Sequence, residues 1–275
     1  MDKLLSLLNW LLPLLYLGLL IDYGATFLLR TKEHARNPWL PTVLGIHALF
    51  FILRAVHLGY PPLGTNYEIL SLLALSTALA YGVVEIESHD RRTGMFVFLL
   101  VFLFQYSSSV FLADHAGTPT GQELHAQSGW GRLHILPAVL AYTGFSLSAV
   151  YGLLHLRARH SLKEHRLGIL FDRLPPLDLL GKMSWYALLF GFAFITVAIG
   201  TGPLMMHMPG HAANASIWDP RVSTKIIVGS IAWAIYMVAI VGKLIGKWSP
   251  SRICRIAVEG FLAIMVLLVL STVLS

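Results

Sequence analysis

Eight long apolar stretches, with little chain between them, constrain this sequence more than any other feature. A bilayer core is about 30 Å thick and takes about 20 apolar residues per crossing helix. Stretches of that kind run from Leu4 to Leu29, Trp39 to Leu58, Thr65 to Glu85, Met95 to Ala113, Leu133 to His155, Ser184 to His207, Ser223 to Lys243 and Ile253 to Leu274. Only 12% of the 275 residues are charged, against roughly 25% in an ordinary soluble domain, which excludes a soluble globular enzyme. The sequence therefore predicts an all-α polytopic membrane protein of about eight transmembrane helices. Residues 1–275 form a single transmembrane domain, multi-pass in the inner (plasma) membrane of a cell.

The basic residues give an orientation. Fifteen of the twenty Lys and Arg fall in the loops after the first, third, fifth and seventh stretches, four (Lys3, Arg132, Arg221, Lys225) fall on the opposite side, and Arg54 lies within the second stretch. By the positive-inside rule both termini are outside and the basic loops cytoplasmic. The formal charge of +6 thus reports topology, and no nucleic-acid partner is expected. The first stretch is read as a retained helix, because its apolar run is too long for a signal peptide and a single lysine precedes it.

The longest cytoplasmic connector, 156–183, is basic and then apolar. The pair Pro175-Pro176 interrupts helix there, and its apolar residues fit either a short helix on the membrane surface or an ordinary connector. A lone cysteine, Cys254, excludes an intramolecular disulfide, a CxxC redox pair and covalent haem attachment through CxxCH. Paired carboxylates, phosphate loops and nucleophile–base pairs find no support, and neither an inverted repeat nor an acidic relay points to a solute transporter.

Histidine is the residue in excess, with twelve copies. His34, His89, His155, His160 and His165 lie in or beside cytoplasmic basic loops and read as surface residues. Six others, His57, His115, His125, His134, His207 and His211, fall at or near the outer face, and His47 falls within the bilayer. Ionisable groups at membrane depth are costly and need an inward-facing partner. His47 and Arg54 are seven residues apart on a helix and His57 follows Arg54 by three, which makes a stripe directed into the bundle. Haem iron takes imidazole nitrogens axially, with an apolar ring and propionates that need a cation or interfacial water. A structural hydrogen bond to a neighbouring helix is the other reading of His47.

Three separated stretches carry a resemblance to a known family. The run GFAFITVAIGTGPLMMHMPGHAANASIWDP, with Gly191, Phe192, Thr196, Thr201, Gly202, Trp218, Asp219, Pro220 and Arg221, resembles the helix and tryptophan-rich outer loop of the CcsA-type cytochrome c assembly family. Pro62, Leu63, Tyr67 and Glu68 look like its PLxxxYE signature. GRLHILPAVLAY looks like the family helix that begins with a haem-associated outer histidine, here His134. LPPLDLL and TKIIVGSIAWAIYMVAIVGK are closer to the shorter HemX-like branch. The pattern departs from the larger members in keeping only Trp218 in the outer loop, and the last stretch has no histidine, so a second axial ligand has to come from elsewhere.

The resemblance implies non-covalent binding of haem b and its delivery or handling at the outer face in cytochrome c maturation. The implied partners are haem, the lipid bilayer, and apocytochrome c or another cytochrome c assembly subunit. In that scheme His134 supplies one axial nitrogen and His207 the other, with His211 as substitute, and Trp218 stacks beside the ring. Asp219 joins that set or caps the following helix, and Arg132 neutralises a propionate or marks the interface. His47 and His57 complete the candidate haem-binding residues, and any role for His47 in binding implies a second haem. Two other classes stay open: a haem-b anchor oxidising quinol for a partner subunit, and a haem-free regulatory or assembly protein of the HemX-like kind.

Overall fold

The apolar stretches fold as helices because a backbone in lipid has to satisfy its own N–H and C=O groups. The computed structural model describes residues 1–29, 36–114, 129–165, 168–206 and 220–273. Every regular element among them is helical: α1 (Asp2–Leu29), α2 (Trp39–Leu58), α3 (Asn66–Ser88), α4 (Gly94–Asp114), α5 (Gly129–Lys163), α6 (Ile169–Arg173), α7 (Leu177–Met206), α8 (Pro220–Leu244) and α9 (Pro250–Val273). Seven described helices are long and apolar enough to cross a membrane. The eighth expected crossing is the helix α9, which stands outside those seven and carries Arg252, Arg255 and Glu259 in its first ten residues. Large apolar side chains such as Leu14, Ile52, Val83 and Val238 are exposed, as helices facing lipid require.

The chain forms two compact units, Met1–Arg132 and Leu133–Ser275. In the first, α1 packs on α2 and α4, and α3 on α2 and α4. Its core stacks Tyr16 and Tyr23, one heptad apart on α1, against Phe98 at centroid distances of 6.4 and 4.7 Å. A second apolar cluster joins Leu5, Leu8, Leu12, Phe50 and Leu112.

In the second unit α8 packs on α7 and α9, and α7 on α9. Here α5 lies antiparallel on α7 at close range: a Cβ on Gly144 would come within 2.5 Å of the Gly191 backbone nitrogen. One helical turn further, Ser148 Oγ donates to the Ser184 carbonyl at 2.8 Å and Ser184 Oγ donates back to the Ser148 carbonyl at 2.9 Å.

Helix ends differ from the expected stretches in an instructive way. Helix α5 continues through LRARHSLK to Lys163 and α7 starts seven residues before Ser184, so the connector of 156–183 shrinks and holds the five-residue α6. Leu, Arg, Ala and Lys are good helix formers, and hydropathy alone does not register a helix that runs on past the bilayer. Pro175 and Pro176 do separate α6 from α7, and Pro220 and Pro250 open their helices, where a missing N–H costs nothing.

Candidate functional site

In the second unit, α5 presents His134, near its N-terminal end, to α7. Its Nδ1 lies 2.9 Å from the carbonyl oxygen of Ala198. A carbonyl only accepts, so Nδ1 carries the proton, and in the neutral ring Nε2 is the nitrogen with the lone pair. Thr201 Oγ1 donates to the same carbonyl at 3.0 Å and to that of Val197. Gly202 faces the ring: a Cβ there would stand 3.4 Å from the imidazole Cε1, in ordinary van der Waals contact. The Thr-Gly pair is thus the seat of His134, brought to it across more than sixty residues of sequence.

The rest of the same run holds α7 in place. Gly191 permits the contact with α5, and a Cβ there would strike the Phe145 ring. Phe192 packs against Trp233 of α8 at 5.7 Å, and Trp233 Nε1 donates to Thr196 Oγ1 at 3.1 Å. His207, His211, Trp218 and Asp219 lie outside the described residues. Arg132 belongs to the first turn of α5, with its side chain outside what is described.

The stripe on α2 divides. His47 is fully buried among α1, α3 and α4, and a directed chain of hydrogen bonds passes through it. Ser71 Oγ donates to Gln105 Oε1 at 2.9 Å, so it accepts from His47 Nε2 at 3.0 Å, and His47 Nδ1 accepts from the Tyr16 hydroxyl at 2.8 Å. Gln105 Nε2 then donates to Ser109 Oγ, and Asn9 Nδ2 to the Ser109 carbonyl. Both imidazole nitrogens are therefore engaged within the core.

Arg54 donates from Nε to Glu68 Oε1 at 2.8 Å. The other carboxylate oxygen accepts from the backbone of Gly64 and Thr65, while Thr65 Oγ1 accepts from Glu68 N. This reciprocal box starts α3 and gives the Tyr-Glu signature its structural meaning. His57, by contrast, faces outward at the end of α2 and pairs with Asp2 at 3.1 Å.

Two buried sites were not anticipated from the sequence. At the other end of the first unit, Arg91, 2% exposed, pairs with Asp22 at 2.5 Å and lies 4.8 Å from the centroid of the Tyr23 ring. The Tyr23 hydroxyl donates to Glu85, whose second oxygen accepts from Asn37 N at 2.8 Å. In the second unit His155, read as a surface residue, is 3% exposed. Its Nδ1 donates to the Leu177 carbonyl at 3.0 Å, and its Nε2 accepts from Ser251 Oγ at 3.1 Å. Glu85 carried a signal, an acid inside an apolar stretch; Arg91 and His155 were masked by neighbouring basic residues.

The residues present fit haem at His134. A ligating imidazole typically donates its other ring N–H to a carboxylate or backbone carbonyl, which fixes the tautomer and raises its basicity, and His134 has that arrangement with Ala198. Among the described residues no three His, Cys, Asp or Glu side chains gather as a metal cage.

The sequence model of the family described as Cytochrome C assembly protein matches residues 63–275, which takes in Glu68, His134 and Trp218 and begins after His47. The cytochrome c biogenesis protein CcsA of Chlorella vulgaris is 24% identical over 250 residues, covering 79% of this chain and 76% of that protein. The inner membrane protein YpjD of Escherichia coli (strain K12) is 22% identical over 198 residues, covering 72% and 70%. Protein HemX of Brevibacillus brevis is 26% identical over 238 residues, covering 81% and 79%. No solved structure matches at a significant level.

Proposed function

Because this chain belongs to the cytochrome c assembly protein family, on a match that spans residues 63–275, we propose that it binds haem b non-covalently and handles or delivers it at the outer face of the membrane during cytochrome c maturation. The observation that carries the reading is the tautomer of His134, whose Nδ1–H donates to the Ala198 carbonyl and puts the ring's lone pair on Nε2. When bound, haem supplies the iron porphyrin that maturation attaches to an apocytochrome c.

The chain's own residues orient and hold. Ala198 and Gly202 set the plane and depth of the His134 ring, and Thr201 keeps the Ala198 carbonyl aimed at it. His207, or His211 in its place, would hold the haem together with His134, Trp218 would lie against it, and Arg132 would balance a propionate. Pro220 opens α8, and Asp219 before it belongs to the same candidate set. His47 and His57 take no part, the first being spent on Tyr16 and Ser71 and the second on Asp2. Apocytochrome c, or another assembly subunit, receives haem on the same side.

The oxidised and reduced absorption spectra of the detergent-purified protein, expressed with ample haem, test the reading. A b-type reduced spectrum is expected, with all colour extracted by acidified acetone. A folded but colourless preparation contradicts stable binding.

A further inference from the structure

Where α7 begins and α8 ends, the second unit gathers five cations, with Asp178 in the first turn of α7. Lys182, Lys243, Lys247, Arg252 and Arg255 all belong to this end by their places on α7, α8 and α9. Among the described residues none of the five pairs with a carboxylate. The first unit treats its cations differently: Arg91 is neutralised by Asp22 and Arg92 by Asp90. An exposed cation placed by chance is mobile and solvated, but two of these are held. Lys243 Nζ sits 3.8 Å from the centroid of the Trp185 ring, and the Arg252 guanidinium 5.0 Å from that of Trp248.

The rings themselves are seated. Trp248 packs flat on Gly242, where a Cβ would come within 2.3 Å of the indole, and its backbone N–H donates to the Gly242 carbonyl at 3.0 Å. Next to them Leu244 and Ile245 are 68% and 77% exposed. A free anion or a nucleic acid has no use for exposed leucine and isoleucine beside its cations. A lipid does, because its phosphate and its acyl chains lie a few ångströms apart, and interfacial indoles mark that boundary.

We propose that this end of the second unit binds the phosphate headgroup of an anionic phospholipid through Lys243, Lys247 and Arg252, with Leu244 and Ile245 against its acyl chains. The surface is distinct from the His134 seat and does not depend on haem. Each interfacial cation contributes about 1 kcal/mol toward an anionic surface, so removing two weakens the interaction on the order of 30-fold.

The full chain in neutral detergent micelles, titrated with phosphatidylglycerol, phosphatidylcholine or inorganic phosphate and followed by thermal loss of helical circular dichroism, tests this. Phosphatidylglycerol alone is expected to raise the midpoint. K243Q/R252Q should need roughly 30-fold more of it for the same rise, while R157Q/K163Q, exposed cations on α5, responds as the unaltered chain does. Salt at about 0.5 M should cancel the rise in the unaltered chain by screening, a measurement that stands even where a variant fails to fold. An unchanged response in K243Q/R252Q, a rise that survives salt, or an equal rise with inorganic phosphate overturns the proposal.

Discussion

His134 and His155 stand twenty-one residues apart on α5, and each donates its Nδ1 proton to a carbonyl of α7, at Ala198 and Leu177, which are also twenty-one residues apart. At 1.5 Å per residue the two bonds are about 31 Å apart, close to the thickness of a bilayer core. The reciprocal serines 148 and 184 and the contact of Gly144 with Gly191 lie between them. The helix that presents His134 is thus tied to its neighbour near both of its ends, which joins α5 and α7 as a pair.

The tie through His155 is structural. His155→Ala leaves the Leu177 carbonyl and the Ser251 hydroxyl without this partner and should cost about 1–3 kcal/mol. Thermal unfolding in detergent should show that loss, while haem bound per folded protein stays at the unaltered level. A specific loss of haem would assign His155 to the binding site instead.

The close approach of α5 and α7 sets the height of His134. Gly144→Val places a branched side chain against the Gly191 backbone and should cost on the order of 1–3 kcal/mol through overpacking. It should also lower haem content, although residue 144 is about 15 Å along the helix from His134. Gly18→Val, at a position with open space around it, is the control and should leave haem content unchanged.

Glu68 does two jobs with two oxygens, and substitutions separate them. Glu68→Gln keeps an acceptor for the backbone of Gly64 and Thr65 but loses the ion pair with Arg54, whereas Glu68→Ala loses both. The alanine variant should therefore be the less stable by about 1 kcal/mol, the worth of a helix cap. Equal stability would remove the capping role.

The expected orientation rests on fifteen basic residues in the loops of one side against four on the other and is open to direct labelling. With Cys254 replaced, a cysteine at His125 should react with an impermeant maleimide from outside intact cells, and one at Lys163 should not. The reverse pattern would invert the topology.

Much of this was legible in the sequence. Apolar length located every described long helix, Pro175-Pro176 marked a break, and the run from Gly191 to Gly202 held residues whose contacts now explain their types. What escaped is long-range pairing. Nothing in local spacing says that Tyr23 meets Glu85 or that Arg91 meets Asp22, since those partners are sixty or more residues apart. Arg91 was hidden further by Arg92 beside it, because a charge count for topology treats a buried arginine and a solvated one alike. His155 was lost the same way among the basic residues that follow it.

Haem content per folded protein in His134→Ala and His47→Ala, side by side with the unaltered chain, tests the central claim most directly. The His134 seat predicts that His134→Ala loses most of its haem. His47→Ala should retain it and lose only stability, by about 1–3 kcal/mol for the Tyr16 and Ser71 groups left without their imidazole. Full haem with an unchanged reduced spectrum in His134→Ala, together with its loss in His47→Ala, would contradict the outer-face site and move the haem into the core of the first unit.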